Sequence, residues 1–319
     1  MASVLPELQP MLAAAKNGPA VDLTQEPAVL RATADAGVIA AGAFVRSPRA
    51  PVTVEEHHVA SQDGAVPMRL YRPGPGTRGA HLHVHGGGWW MGSLETADAL
   101  AREMAAATGL VVASVEYRLA PEHRFPTAVD DVLSALWWLH HQARHLGIDG
   151  ASLSIGGESA GANLAAAVAL LARERGPSLV GQWLDVPAVD LTLPETTSTA
   201  EFGTGFGLDL DEIRRVLDWY VSPADRRDPR ASPALAGDLS GLPPTLLTVA
   251  ECDPLRDQGE AYAALLQARG VPVTVIRSIG HLHGTTWLSA LTDSGAAWHE
   301  QCSHVLRTFH AARAEELSA

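Results

Sequence analysis

The chain of 319 residues is 46% hydrophobic and carries 36 acidic against 23 basic residues, which gives a formal net charge of −13. This composition is sufficient for a large core, and the charge disfavours binding to nucleic acid or to an anionic membrane surface. No apolar run reaches the roughly 18 residues of a membrane-spanning helix, and the N-terminus lacks the regions of a secretory signal, so we predict a cytoplasmic protein.

The chain has two cysteines, Cys252 and Cys302, in neither a CxxC nor a zinc-binding spacing. We predict that both are free thiols and expect no structural metal. A neutral or weakly polar small molecule suits the acidic chain better than a polyanionic partner does.

The first part of the chain favours helices and then changes to short strands. Residues 1–50 are rich in alanine and proline, and the apolar spacing in residues 27–44 predicts a helix. Residues 52–61 and 66–73 are β-rich runs bounded by glycine and proline, which predicts a hairpin at an antiparallel edge of a sheet.

From residue 80 onward, apolar β-branched runs alternate with amphipathic helices. The predicted strands cover about 80–85, 110–117, 151–157, 244–251 and 272–278, and the predicted helices about 95–107, 127–145, 160–174 and 256–270. This alternation is typical of an α/β fold, with a mostly parallel sheet flanked by helices on both faces.

Residues 189–228 interrupt this alternation. They contain a predicted loop over residues 192–207 and an amphipathic helix over residues 210–222, with no evident strand. Insertions after the carboxyl end of a strand often form lids over the ligand site of α/β proteins. We therefore expect a cap built from residues 1–50 and 189–228 on a catalytic domain that spans residues 51–319.

A candidate nucleophile lies in the pentapeptide Gly157-Glu158-Ser159-Ala160-Gly161, between a predicted strand and a predicted helix. The G-x-S-x-G pattern needs this context, because the turn strains the serine backbone and only small neighbours permit it. The N-terminus of the following helix would stabilise negative charge beside Ser159. An ordinary glycine-rich turn is the alternative, but the flanking strand and helix favour the nucleophile.

A serine nucleophile needs a base and an orienting carboxylate, which in this class follow it in the order Asp or Glu, then His. Asp253 lies at the end of one predicted strand, and His283 follows the next. Asp253 is also explained as a helix N-cap ahead of Pro254. His283 is also explained as a surface histidine in a chain with 14 histidines, and His281 competes with it for the role of base.

His81, His83 and His85 alternate along a predicted strand that runs into three glycines at positions 86–88. Alternation places the three rings on one face, but a spacing of about 6.6 Å per two residues and the lack of nearby carboxylates argue against a shared metal ion. A glycine-rich loop after a strand supplies amides for the oxyanion of acyl transfer. We therefore expect the chemistry at the glycines, a bracing role for His85, and structural roles for His81 and His83.

Longer stretches of the chain resemble the bacterial hormone-sensitive-lipase-like (family IV) esterases, which are α/β-hydrolases. They are "HGGGWWMGS", "VEYRLAPEHRFPTAVDD", "GESAGANLA", residues 228–263 and "GHLHG". They occur in the family's order and cover most of the chain beyond residue 50, and the combination of HGGG with "YRLAPEHRFPTAVDD" is far more specific than G-x-S-x-G alone. The resemblance implies an α/β-hydrolase fold with a helical cap.

The resemblance also implies a carboxylesterase that hydrolyses short- to medium-chain acyl esters through an acyl-enzyme, without a cofactor. It assigns Ser159 as the nucleophile, Asp253 as the acid and His283 as the base. The family pattern G-x-x-H-G aligns on His283 and thereby selects it over His281.

The same resemblance assigns the oxyanion hole to the amides of Gly87, Gly88 and Ala160, with His85 and Gly86 supporting the loop. It further suggests a homodimer through the edge strand near residues 271–278, and a small-molecule ester as the substrate.

The chain departs from the family pattern at Glu158, where aspartate or threonine is more usual, and at "HGTTW", where an aromatic residue usually follows the His-Gly pair. Neither departure removes a catalytic group. Trp89 and Trp90 after the oxyanion loop, and Phe202 and Phe206 in the cap segment, are candidate substrate-binding residues, and packing explains all four equally well.

Two other functions fit the same sequence. One is a non-catalytic ligand-binding protein on a hydrolase scaffold, which reaction of Ser159 with an organophosphonate would distinguish. The other is an amidase or deacetylase that uses the same triad, which matched ester and anilide substrates would distinguish.

Overall fold

The structure is a computed structural model that describes residues 3–17, 25–62, 64–77 and 79–316. The strands are β1 (Thr53–Ser61), β2 (Gly64–Arg72), β3 (Ala80–Val84), β4 (Val111–Val115), β5 (Leu153–Glu158), β6 (Gly181–Asp185), β7 (Thr245–Cys252) and β8 (Val273–Leu282). The helices are α1 (Gln9–Asn17), α2 (Pro27–Ala41), α3 (Leu94–Thr108), α4 (Thr127–Gln142), α5 (Ala160–Arg175), α6 (Thr197–Phe202), α7 (Leu210–Tyr220), α8 (Arg256–Ala268) and α9 (Asp293–Glu316).

The eight strands form one sheet in the order β1-β2-β4-β3-β5-β6-β7-β8. β1 and β2 form an antiparallel hairpin at one edge, and β2 also pairs antiparallel with β4. The pairs from β4 across to β8 are all parallel. The predicted hairpin at an antiparallel edge and the mostly parallel α/β sheet are therefore confirmed.

Three elements differ from the sequence prediction, and one of them, the long helix α9 (Asp293–Glu316), was not predicted at all. β6 was not predicted either, although all five of its residues are buried between β5 and β7. The predicted loop over residues 192–207 was wrong in part, because it contains α6. A reciprocal pair of hydroxyl hydrogen bonds starts that helix: Thr196 Oγ1 accepts from the Thr199 amide, and Thr199 Oγ1 accepts from the Thr196 amide. Threonine here takes the place of the usual glutamate in a capping box.

The centre of the fold is α5, which lies against the sheet. Each of its residues from Ala160 to Ala172 is buried, and most of them are alanines. Small side chains let a helix approach a sheet closely, so the N-terminal end of α5 lies directly beside the carboxyl end of β5. This close approach positions the turn that holds Ser159.

The N-terminal segment contacts the ends of two strands that each directly precede a predicted catalytic residue. Val4, Leu8 and Leu12 form a separate apolar cluster with Cys252 and Leu282. Both cysteines of the chain are free and buried.

The second helix of the N-terminal segment, α2, contacts the loop that follows β3. Arg31 Nε donates to the carbonyl of Trp90 at 2.7 Å, and Asp35 accepts from the amide of Gly92 at 2.9 Å. The division of the chain into a cap and a catalytic domain stays a prediction. Within the described ranges, no helix has the length and apolar character needed to cross a bilayer.

Candidate active site

Ser159 lies in the tight turn between β5 and α5, with φ of 55° and ψ of −115°. This backbone conformation is strained for a residue with a side chain. A Cβ atom at Gly157 or Gly161 would collide with the carbonyl oxygen of Val84, so both flanking positions require glycine. The amide of Ser159 donates to the carbonyl of Asp185 at 2.8 Å, which fixes the turn to β6.

An unbroken chain of hydrogen bonds joins Ser159, His283 and Asp253. His283 Nε2 lies 2.9 Å from Ser159 Oγ, and His283 Nδ1 lies 2.8 Å from Asp253 Oδ2. The second oxygen of Asp253 accepts from the amide of Leu255 at 2.8 Å, and the aspartate is fully buried. A buried carboxylate at Nδ1 selects the tautomer that leaves Nε2 free to accept the serine proton.

His281, the competing base, points away from this site. Its Nδ1 atom lies 3.0 Å from Thr285 Oγ1, and its Nε2 atom lies 2.8 Å from Ser294 Oγ. Burial lowers the pKa of His281 to about 4, so the ring is neutral near pH 7. Both ring nitrogens thus lie against hydroxyl groups and neither contacts Ser159.

The electrostatics around His283 favour its protonated form. Burial alone would lower its pKa, but the charge of Asp253 and its hydrogen bond oppose this effect, and Glu158 and Asp185 add further attraction. The net result is a pKa above the usual histidine value. The site thus stabilises the imidazolium that forms when the ring takes a proton.

Two more carboxyl groups, those of Glu158 and Asp185, lie close to His283. The two residues are partners in the β5–β6 register, and they line a cavity of about 10 Å³. Burial, and then the charge of Asp185, raises the pKa of Glu158 to about 8. Burial raises the pKa of Asp185 to about 7, although Thr248 Oγ1 donates to its carboxyl at 2.5 Å. Sequence reasoning missed Asp185 because it missed β6.

The loop after β3 presents backbone amides to the same cleft as Ser159. Gly87 and Gly88 have φ values of 109° and 57°, and both line the cleft. A Cβ atom at Gly87 would collide with the carbonyl of Met91. Among the described residues, the amides of Gly87, Gly88 and Ala160 donate to no other group. They are therefore available as donors to an oxyanion.

His85 lies beneath this loop. Its Nδ1 atom is 2.8 Å from the carbonyl of Gly86, and its ring stacks on Tyr117 with a centroid distance of 4.3 Å. The Tyr117 hydroxyl donates to the His85 carbonyl at 3.1 Å. Burial lowers the pKa of His85 to about 4, so the neutral ring donates through Nδ1 and holds the loop.

The other two alternating histidines do not converge with His85. His81 Nδ1 lies 2.9 Å from Ser154 Oγ, and the rings of His81 and His83 are 6.4 Å apart. In the ranges that the structure describes, no group of three or more His, Cys, Asp or Glu side chains is arranged to hold a metal ion. His81 instead joins a hydrogen-bonded chain through Ser154 to His310 on α9.

The cleft in front of Ser159 has a volume of about 200 Å³ and is mainly apolar. A cavity of about 900 Å³, between residues 43–49, α3 and α9, contains none of the triad residues. The lining of the Ser159 cleft comprises Ser159 and His283, the loop glycines Gly87 and Gly88, the acids Glu158 and Glu212, and the apolar residues Trp89, Trp90, Met91, Ala188, Leu191, Leu193, Leu208, Ile213, Val216 and Leu255. Most of these apolar residues were not foreseen, because they come from segments that the sequence pattern does not bring together.

Of the four aromatic candidates for substrate binding, the structure brings two to the cleft. Trp89 and Trp90 line it. Phe202 and Phe206 do not, and they pack edge to face with a centroid distance of 5.1 Å in the cluster around Leu8. Their assignment to the substrate pocket needs correction, because the N-terminal segment covers them.

Comparisons with known proteins agree with this geometry. Residues 81–286 match the family described as the alpha/beta hydrolase fold. The carboxylic ester hydrolase LipN of Mycobacterium tuberculosis (strain ATCC 25618 / H37Rv) is 40% identical over 294 residues, which cover 86% of this chain and 77% of LipN. An arylesterase of Saccharolobus solfataricus is 41% identical over 240 residues, which cover 74% of this chain and 78% of that enzyme.

A solved structure of a hyperthermophilic esterase from the archaeon Pyrobaculum calidifontis superposes with a TM-score of 0.90 and 36% identity, covering 96% of this chain and 98% of that one. Sequence and structure thus agree over nearly the whole length. The resemblance drawn from the motifs is confirmed: this chain belongs to the hormone-sensitive-lipase-like carboxylesterases of the α/β-hydrolase fold.

Proposed function

We propose that this chain is a serine carboxylesterase in which Ser159 is the nucleophile, His283 the general base and Asp253 the orienting acid. The observation that carries the proposal is the continuous hydrogen-bonded path from Asp253 through His283 to Ser159 Oγ, with distances of 2.8 and 2.9 Å, at the wall of an apolar cleft. The carboxylic ester hydrolase and arylesterase among its relatives support the same reaction class.

In the first half of the reaction, Ser159 Oγ attacks the carbonyl carbon of the ester while its proton passes to His283 Nε2. The carbonyl oxygen becomes an oxyanion, which accepts hydrogen bonds from the amides of Gly87, Gly88 and Ala160. The tetrahedral intermediate then collapses. The bond to the alcohol oxygen breaks, His283 gives its proton to that oxygen, and an acyl ester on Ser159 remains.

In the second half, water replaces the alcohol. His283 Nε2 takes a proton from the water as its oxygen attacks the acyl carbon, and the same amides hold the new oxyanion. Collapse breaks the bond to Ser159 Oγ, which recovers its proton from His283. The carboxylic acid leaves. In both halves, Asp253 holds the imidazole through Nδ1 and stabilises its positive form.

The size of the cleft supports short to medium acyl chains. Its volume is about 200 Å³, and apolar side chains such as Leu191, Ile213 and Val216 form most of its wall. An apolar wall binds acyl methylene groups through the hydrophobic effect until the cleft is filled. Longer chains extend into solvent and gain little.

The test is a series of p-nitrophenyl esters from acetate to dodecanoate with wild-type protein and Ser159→Ala. We expect the highest kcat/KM at short to medium chains, and a loss of roughly 10⁴-fold or more in kcat for every ester in the variant. Ser47→Ala, at an exposed position outside the cleft, is the matched control and should retain full activity. Undiminished turnover by Ser159→Ala would overturn the proposal.

Two measurements separate this function from the alternatives. An organophosphonate should modify wild-type protein once per chain, at Ser159, as mass spectrometry would show; an inert serine would instead support a ligand-binding protein. Matched ester and anilide substrates should show a large preference for the ester, and equal rates would support an amidase.

We propose two further properties. The first is a homodimer through β8, which lies at the edge of the sheet and exposes Val275 and Ile279. Sedimentation equilibrium of wild type and an Ile279→Lys variant would test it, and a wild-type monomer would contradict it. The second is a cytoplasmic location, which the two unpaired cysteines support.

A further inference from the structure

A second acid lines the substrate cleft besides Glu158. Glu212 lies in the first turn of α7, on the same cavity wall as Ile213 and Val216, and faces the space in front of Ser159. Most of the surrounding wall is apolar. Neither the reaction nor the oxyanion hole uses Glu212.

Among the described residues, the Glu212 carboxylate accepts no hydrogen bond and forms no direct ion pair; the one attractive charge that acts on it is that of Arg215. Its neighbour Asp211 pairs with Arg214 at 2.8 Å and is well exposed to solvent. Asp209, at the N-cap position, makes no side-chain cap, and its carboxylate accepts from the amide of Gly205 instead. The helix dipole favours acidic residues in the first turn of a helix, and Asp211 already provides such a residue outside the cleft.

The surroundings of Glu212 disfavour its charged form. Partial burial raises its pKa, and the charge of Asp209 raises it further, while Arg215 partly compensates. A carboxylate that is partly removed from water beside apolar side chains gains most from a ligand that brings a positive charge. The net charge of −13 on the whole chain also attracts cations.

We propose that Glu212 forms a cation subsite of the substrate cleft, so that the enzyme favours esters carrying a quaternary or protonated amine. This inference rests on the proposed function, because Ser159 must hydrolyse the ester that the subsite selects. The subsite acts on binding and not on bond breaking, so Glu212 is a specificity residue. Trp90, on the same cleft wall, contributes aromatic surface of the kind that quaternary ammonium groups contact.

The experiment uses two pairs of substrates that differ only in charge. On the alcohol side the pair is butyrylcholine and 3,3-dimethylbutyl butyrate. On the acyl side the pair is the p-nitrophenyl ester of 4-(trimethylammonio)butanoate and that of 5,5-dimethylhexanoate. In each pair a carbon atom replaces the ammonium nitrogen, so size is matched. The measured quantity is the ratio of kcat/KM for the cationic ester to that for the neutral one.

In Glu212→Gln, we expect this ratio to fall roughly five- to tenfold in at least one pair, because the variant removes a charge at short range and preserves shape. In Glu212→Lys it should fall further. Asp211→Asn is the matched control: it removes an acid from the same helical turn outside the cleft and should leave the ratio within twofold of wild type. For the wild type, the ratio should also decrease as salt is raised.

The inference is overturned if Glu212→Gln leaves the ratio unchanged in both pairs, or if Asp211→Asn lowers it equally. Thermal melting of each variant shows whether the protein remains folded, and a ratio of two rates measured on the same sample is independent of the active fraction. Failure of the proposed function is a separate result, since it appears as absent hydrolysis of the neutral esters by the wild type.

Discussion

The carboxyl ends of the parallel strands and the α7 wall border the same cleft, yet different interactions build them. At the strand ends, each reacting group is fixed by directional hydrogen bonds of 2.8 to 2.9 Å and by glycines that permit close backbone contact. The α7 wall consists of side chains such as Ile213 and Val216, which fill space without directional contacts. Changes at the strand ends should therefore alter the rate for every ester, whereas changes on α7 should redistribute activity among esters.

The largest effect is expected when each of the two histidines of "GHLHG" is replaced in a separate variant. His283→Asn removes the base, and kcat should fall roughly 10⁴-fold or more for every ester. His281→Asn, two positions away, should lower the melting temperature because it disrupts contacts with Thr285 and Ser294. Its activity per folded molecule should stay within a few-fold of wild type, as titration of active sites with an organophosphonate would check. Comparable catalytic losses in both variants would contradict the assignment of His283.

An intermediate effect is expected from pH, and it should be common to all neutral esters. His283 must be unprotonated to accept the proton of Ser159, and its pKa is raised above the usual value of 6.5. The kcat/KM should therefore decrease with falling pH from a midpoint above 6.5, by roughly tenfold per unit well below it. Acetate and hexanoate esters should share one midpoint, since the titrating group belongs to the triad.

Acid unfolding must be separated from this titration. Burial lowers the pKa values of His83 and His85 to about 4. Unfolding therefore takes up protons between pH 6.5 and about 4, and these groups lose their contribution to stability as the pH falls through that window. Protein held at acid pH and returned to pH 8 should recover full activity if the loss was titration of His283. A recovered enzyme with a midpoint at or below 6.5 would contradict the raised pKa.

The smallest effect is expected on the α7 wall. Val216 is 5% exposed and lines the cleft close to Gly88. Val216→Ala enlarges the cleft by two methyl groups, so kcat/KM for hexanoate relative to acetate should rise roughly threefold. Val275→Ala, on the exposed face of β8, is the control and should leave the ratio unchanged. An equal change for all chain lengths would show that Val216 acts through the triad instead.

The features that the sequence predicted are those with strict chemical requirements. Ser159 needs small neighbours in a strand-turn-helix context, and Asp253 and His283 must follow later strands in that order. These requirements therefore appear in the sequence as particular residue types at particular spacings. The choice between His281 and His283 needed the family pattern, because both histidines lie at the end of one strand.

The features that escaped prediction depend on which segments pack together. β6 was missed because its short sequence, "GQWLD", contains a polar residue whose amide nitrogen finds a partner only in the fold: Gln182 Nε2 donates to Thr245 Oγ1 at 2.9 Å. Phe202 and Phe206 were assigned to the pocket because an aromatic residue in a cap can face either the cleft or the N-terminal segment, and its residue type does not distinguish the two. Glu212 gave no signal, since an acid in the first turn of a helix is ordinary.

The cluster that joins Val4, Leu8 and Leu12 to Cys252 and Leu282 has a consequence for the order of folding. Cys252 and Leu282 immediately precede Asp253 and His283. Residues 4–12 and residues 252–283 belong to distant parts of the chain. Contacts so distant along the chain form late in folding. The strand ends that position Asp253 and His283 should therefore reach their final packing only when these two distant parts of the polypeptide have met.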